Sequence, residues 1–169
     1  GRMSLRRWSW TRASARRPRL VGIQAPQGGG KTALVAHLLA LLPTIGLRGA
    51  GVSIDDFYLT RAAQLQLAAA HPGNPYLEHR GYPGTHDIEL GERTLKALQG
   101  SSHPAPRTAH PAPGTAHPAP RPAHRAAIRV PVYDKSLHGG RGDRAPQAEW
   151  RDIAGPLDVV FVEGWMLGF

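Results

Sequence analysis

Between Gly22 and Thr32 the chain reads Gly-Ile-Gln-Ala-Pro-Gln-Gly-Gly-Gly-Lys-Thr. The step from Ala25 through four residues to Gly30-Lys31-Thr32 is the spacing of a phosphate-binding loop. In such a loop the backbone N–H groups of Gln27, Gly28, Gly29 and Gly30 wrap a polyphosphate, Lys31 reaches its β and γ oxygens, and the Thr32 hydroxyl ligates Mg²⁺. The first position is Ala25 rather than Gly. Its Cβ removes easy access to positive φ, so the opening turn has to be one that an L-residue makes without strain. A nucleoside triphosphate is the ligand these residues imply.

Transfer of a phosphoryl group to a hydroxyl needs a carboxylate that orients the hydroxyl and finally accepts its proton, with a further acid on the metal side. Asp55-Asp56 and Glu163 each follow a short apolar segment. Adjacent residues of an extended segment point oppositely, so one of Asp55 and Asp56 faces the phosphates directly. Asp56 reads equally well as a turn cap. Glu163, after Val159-Val160-Phe161-Val162, stands where a Walker B acid holds Mg²⁺ directly or through water.

The elements that must position these groups alternate strand and helix. Residues 19–24 read as a short buried strand, and Thr32 to Leu42 as a core helix with Leu34, Val35, Leu38, Leu39 and Leu42 on one face and His37 toward solvent. Further strands are expected at 49–54, 128–132 and 157–162, and helices at 60–70 and 88–98. This alternation predicts an α/β fold of the P-loop NTPase type, a parallel sheet flanked by helices with ligands beyond the carboxyl ends of the strands. A strand order of 2-3-1-4 is expected, with the phosphate-loop strand central.

Composition narrows the class. The 169 residues suffice for a buried core, and the lack of cysteine excludes a disulfide scaffold and a thiolate metal site while suiting a reducing compartment. The longest apolar stretch, residues 33–42, falls far short of the roughly 20 residues a bilayer span needs. Of the formal charge of +9, residues 1–19 hold seven arginines and no acid, leaving the body nearly neutral. This basic tail is expected to be disordered. It resembles an organelle transit segment or is a flank without function, and a nucleic-acid arm is the lesser expectation. A second low-information segment, 101–127, repeats His-Pro-Ala-Pro from His103, His110 and His117. It reads as an extended spacer inserted in a surface loop of the domain 20–169. Its evenly spaced histidines lack the supporting shell a metal site needs.

The strings Ala25-Pro-Gln-Gly-Gly-Gly-Lys-Thr32, Ser53-Ile-Asp-Asp-Phe-Tyr-Leu-Thr60, Gly84-Thr-His-Asp87, Tyr133-Asp-Lys-Ser136, Gly140-Arg-Gly-Asp-Arg144 and Glu163-Gly-Trp-Met-Leu-Gly-Phe169 together resemble the plant-type D-glycerate 3-kinases, of the phosphoribulokinase and uridine kinase group. The resemblance spans residues 20–100 and 128–169. It implies ATP and Mg²⁺ as cofactors, Lys31 and Thr32 on phosphate and metal, Asp55 as catalytic base, and Glu163 as the Walker B acid. It also implies further helices, a further strand and covering segments beyond Phe169. An incomplete domain is therefore expected, one that binds Mg·ATP with weak or absent transfer.

A glycerate acceptor carries a carboxylate, which Arg recognises in bidentate fashion and Lys as a point charge. The candidates are Arg80, His86 and Asp87 before the 88–98 helix, and Tyr133, Lys135, Arg141 and Arg144 after the third strand. Asp87 either binds a substrate hydroxyl or caps the helix, and Arg141 and Arg144 either contact ligand or are solvated loop charges. Arg141-Gly142-Asp143 spells an adhesion tripeptide, read here as coincidence. Three functions fit: a glycerate-type kinase, a kinase of the same group acting on a nucleoside or other hydroxyl acceptor, with Tyr133 stacking on a base, and a nucleotide-binding module without turnover. An intracellular, soluble protein is expected, in the chloroplast if the source is photosynthetic and otherwise in the cytoplasm, with a small-molecule partner and no membrane.

Overall fold

The computed structural model describes residues 17–102 and 127–167. The arginine-rich segment 1–16, the histidine-proline repeat 103–126 and the last two residues lie outside the described residues. The elements run β1 (Arg19–Gln24), α1 (Lys31–Leu41), β2 (Gly49–Ser53), α2 (Arg61–Ala70), α3 (Pro75–Glu78), α4 (Ile88–Gln99), β3 (Ile128–Val130), β4 (Tyr133–Asp134), β5 (Asp143–Arg144), β6 (Arg151–Ile153) and β7 (Val159–Gly164).

β1, β7 and β2 form a parallel sheet in that order, with Gln24 opposite Gly164 and Ser53 opposite Glu163. The expected order is corrected here: the segment before Glu163 lies between the phosphate-loop strand and β2. The segment at 128–132 leaves this sheet and pairs antiparallel with β6. β7 is apolar on both faces, with Val160 and Phe161 buried, which suits the centre of a parallel sheet. β3 is three residues long and runs into Pro131, which cannot donate to a ladder. A second small ribbon joins β4 to β5, Tyr133 opposite Arg144.

The core gathers Ala50, Val52, Phe57, Leu90, Leu98, Val130, Leu157 and Val160. Gly51 lets α1 lie close over β2, because a Cβ there would sit 2.7 Å from Val35 Cγ1. Two expectations of burial fail. β1 is mostly exposed rather than a buried strand, and on α1 Val35 alone is buried, with Leu38 and Leu39 half-buried and Leu34 open to solvent. His37 is exposed, as expected.

α4 keeps its amphipathic promise, burying Leu90, Thr94 and Leu98 along one side. Ser101 and Ser102, the first two residues of the expected insertion 101–127, are among the described residues, and the fold holds Ser101. That residue is buried, donates its hydroxyl to Leu98 O at 2.6 Å and accepts from Leu157 N at 3.0 Å, so it belongs to the fold. Among the described residues no helix is long and apolar enough to cross a membrane.

Candidate phosphate and acceptor site

The turn from β1 into α1 places Gly28 and Gly30 at φ 75° and 76°, a region that glycine occupies without steric cost. Ala25 has no positive φ, so the departure at the loop's first position is unstrained, as expected. Gly29 N donates to Pro26 O at 3.0 Å to close the turn. No acidic side chain stands in the first turn of α1 and no side chain caps it, leaving its partial positive charge without a partner from the helix itself. Lys31 Nζ donates to Ala25 O at 3.0 Å and Pro26 O at 2.9 Å, folded over its own loop.

Level with that turn, the ends of β7 and β2 supply acids. Thr32 Oγ1 donates to Glu163 Oε1 at 2.9 Å, and Glu163 is buried. Two hard oxygen donors of the kind that suit a hydrated divalent cation thus lie side by side, 131 residues apart in sequence. After β2 the chain turns through a short 3₁₀ segment, Ile54–Phe57, that gives Asp55 and Asp56 different partners. Asp56 completes a capping box with Ser53 and receives Arg151 Nη2 at 2.7 Å, the same guanidinium donating to Gly51 O at 3.2 Å. Burial raises the Asp56 pKa from its ordinary value, and Arg151 opposes that rise. Both residues line the cleft, and Asp55 is the one that meets Lys135 there. Its Oδ2 accepts from Lys135 Nζ at 2.5 Å, and its Oδ1 is buried with no partner.

These groups open on one cleft of about 880 Å³. Gln27, Gly28, Lys31, Thr32, Ser53, Asp55 and Glu163 line it, together with Arg80, Tyr133, Lys135 and Arg141. Arg80 Nη1 donates to the carbonyls of Gly140, at 2.9 Å, and of Arg141, and its guanidinium lies 5.6 Å over the Tyr133 ring. Arg80 is therefore partly committed to holding the glycine-rich loop 138–142, whose Arg141 meets His79.

Three expected acceptor residues do not line the cleft. Asp87 caps α4 through Leu90 N at 2.9 Å and pairs with Arg144 at 3.0 Å, which uses both its oxygens. Arg144 spends itself on Asp87 and on Tyr58 O at 2.8 Å. His86 is buried, its ring 4.4 Å from that of Tyr58, and burial lowers its pKa. They form the support behind Tyr58, which faces the cleft and whose phenol is pushed well above its usual pKa by burial first and the Asp55 charge second. The adhesion-like tripeptide has a structural role: Asp143 Oδ1 accepts from Arg61 N at 2.8 Å, fastening the start of α2.

Sequence reasoning passed over Tyr58, Arg61, His79, Tyr82 and Trp165, all of which line the cleft. Tyr58 comes soon after β2, as Asp55 does, and Trp165 directly follows β7, whose end carries Glu163, so the same rule reaches them. His79 and Tyr82 sit in a turn-rich stretch without periodicity, where no such rule applies.

Strand, phosphate loop, helix and strand-end acids in this arrangement define a P-loop fold of the kinase type. No family model matches the chain. It is similar to the chloroplastic D-glycerate 3-kinase of Arabidopsis thaliana, 41% identical over 152 residues that make 90% of this chain and 29% of that protein. A probable ATP-dependent kinase of Saccharomyces cerevisiae is 33% identical over 95% of this chain and 49% of its own length. The solved D-glycerate 3-kinase of Cryptococcus neoformans var. grubii superposes with a TM-score of 0.72 at 38% identity, covering 95% of this chain and 47% of that one. The chain thus spans half or less of the length of these relatives.

Proposed function

We propose that this cleft transfers the γ-phosphoryl group of ATP to a hydroxyl of a small anionic acceptor, D-glycerate, giving 3-phosphoglycerate. The observation that carries the reading is the placement of Asp55, with an unpartnered buried Oδ1, in one cleft with the phosphate turn and the Thr32–Glu163 pair. The similarity to D-glycerate 3-kinases supports glycerate as the acceptor, and Arg80, Lys135 and Arg141 give the cleft the charge that a carboxylate needs.

In this mechanism the amides of the loop and the start of α1 hold the polyphosphate, and Lys31 exchanges its two carbonyl partners for phosphate oxygens. Thr32 and Glu163 would hold Mg²⁺, which would supply positive charge to offset that of the triphosphate. Asp55 Oδ1 accepts the acceptor's hydroxyl hydrogen bond and then its proton. The acceptor oxygen bonds to the γ phosphorus, the bond from that phosphorus to the bridging oxygen breaks, and the electron pair leaves with ADP. Tyr133 already packs one face against Arg80 and meets the Tyr58 ring edge at 5.3 Å, which favours a small acceptor over a base stacked on Tyr133.

Calorimetric titration with Mg·ATP and a coupled assay of ADP release test the reading. Lys31→Ala is expected to abolish measurable ATP affinity. Asp55→Asn is expected to keep that affinity while lowering glycerate-dependent transfer by about 10²–10⁴-fold. Absence of magnesium-dependent heat with ATP in the unaltered chain would remove the kinase reading altogether.

A further inference from the structure

Resting on the reading above, we infer that Lys135 makes the acceptor's negative charge a condition for reaction. Its ammonium is held by Asp55 Oδ2, and an incoming carboxylate draws it away and leaves both oxygens of the base free. The bond joins Lys135 Nζ to Asp55 Oδ2 at 2.5 Å inside the cleft, with the Lys135 side chain 57% exposed and the Asp55 side chain 25%. A carboxylate is thus already bound where the acceptor's carboxylate would arrive, and one exposed ammonium on a flexible four-carbon stem can trade one for the other at small cost.

The neighbouring cations are less suited to this exchange. Arg80 gives Nη1 to two loop carbonyls and lies on Tyr133, Arg141 engages His79, and Arg144 is turned to Asp87 and the Tyr58 carbonyl. Of these cations Lys135 alone has a carboxylate of the candidate base as its partner. Water and uncharged alcohols bring nothing that competes for the ammonium, so with them Asp55 stays engaged. The pair therefore discriminates against neutral hydroxyl compounds and against wasteful hydrolysis, a role in specificity distinct from the proton transfer itself.

The test is an equilibrium one. Glycerate and its uncharged amide, glyceramide, are titrated against the whole chain holding Mg²⁺ and a non-hydrolysable ATP analogue, followed by calorimetry or NMR shifts. Lys135→Met is expected to weaken glycerate by about tenfold or more, with partial recovery in Lys135→Arg. Asp55→Asn is expected to tighten glycerate by about three- to fivefold, because the ammonium no longer has a competitor. Glyceramide is expected to respond to neither change. In the Lys135→Met background, Asp55→Asn is expected to give no tightening, a coupling that a folding defect in one variant does not mimic.

Unchanged or weaker glycerate binding in Asp55→Asn overturns the exchange, since it means that Lys135 bridges both carboxylates. Tightening that persists without Lys135 overturns it as well. Both results leave the kinase reading standing. Binding of the ATP analogue with no binding of glycerate overturns the exchange and the acceptor assignment together.

Discussion

Asp55 and Asp56 are adjacent and chemically identical, yet the fold gives them unlike work. The 3₁₀ turn after β2 directs Asp56 back to the Ser53 amide and to Arg151, and Asp55 outward to Lys135 and the cleft. Arg151 therefore steadies the turn that aims Asp55, although it was not expected as a site residue. His86 is the residue whose environment is most open to measurement. It is 8% exposed, its Nε2 is buried without a partner, and burial lowers its pKa below the ordinary value of about 6.5, against the smaller upward pull of Asp55. The sign follows from linkage. A lowered folded-state pKa means that the unfolded chain takes the proton first as pH falls, so the stability from neutral His86 is fully present above about 6.5 and is lost as pH drops toward the folded value. His86→Phe keeps a ring against Tyr58 and removes the titration. Urea unfolding at pH 7.5 and 5.5 is expected to show a smaller loss of stability in the variant than in the unaltered chain. Asp56, whose raised pKa acts in the opposite direction, cancels in that difference. Parallel losses in the two proteins would show that His86 does not titrate in this way.

At the scale of elements, the loop between β4 and β5 carries Arg141 and has an unusual backbone. His138, Gly139, Gly140 and Gly142 all have positive φ, and for His138 this is uncommon. Arg80 holds the loop by its carbonyls, and Gly142 lies against the Tyr133 ring. A Cβ at Gly142 would meet Tyr133 Cε1 at 2.5 Å, Arg80 Nη1 at 2.9 Å and Asp134 O at 3.0 Å, at a φ of 76°. Gly142→Ala thus combines a backbone penalty with a clash against two cleft residues, and is expected to cost about 1–3 kcal/mol of stability. It should weaken glycerate more than Mg·ATP, because the phosphate turn is built on separate elements. Gly28 offers the contrast: nothing lies within 4 Å of a Cβ there, so alanine at that position meets only the backbone penalty of φ 75°. Equal loss of both ligands in Gly142→Ala, read by calorimetry, would mean that the loop supports the whole fold rather than the acceptor side.

For the whole molecule, the phosphate turn, Glu163 at the end of β7 and the pattern of α4 were legible because each is written locally, in spacing or in a single period. The sheet order was not. Periodicity marks a segment as apolar without saying which neighbour covers it, so 128–132 was read into the parallel sheet although a short strand ending at Pro131 pairs as well with β6. Asp87 and Arg144 show the same limit from the polar side, since residue type announced a ligand contact and tertiary pairing joined them to each other. The apolar residues of β1 and α1 extend this argument to solubility. Leu34, Leu41 and Ile45 are 49%, 60% and 70% exposed, and Leu20 and Val21 on β1 are also open. Single exposed leucines are ordinary, but this many within one strand and the helix and turn after it leave apolar surface in water. The described residues include nothing that shields them. The isolated chain is expected to bind a hydrophobic dye such as ANS while its near-ultraviolet circular dichroism stays native-like. Leu34→Gln, Leu41→Gln and Ile45→Gln combined should lower that dye binding severalfold and leave Mg·ATP affinity unchanged, because none of the three lines the cleft. Dye fluorescence indifferent to the triple substitution would mean that these side chains are covered in solution, and a concurrent loss of ATP affinity would tie that cover to the nucleotide site.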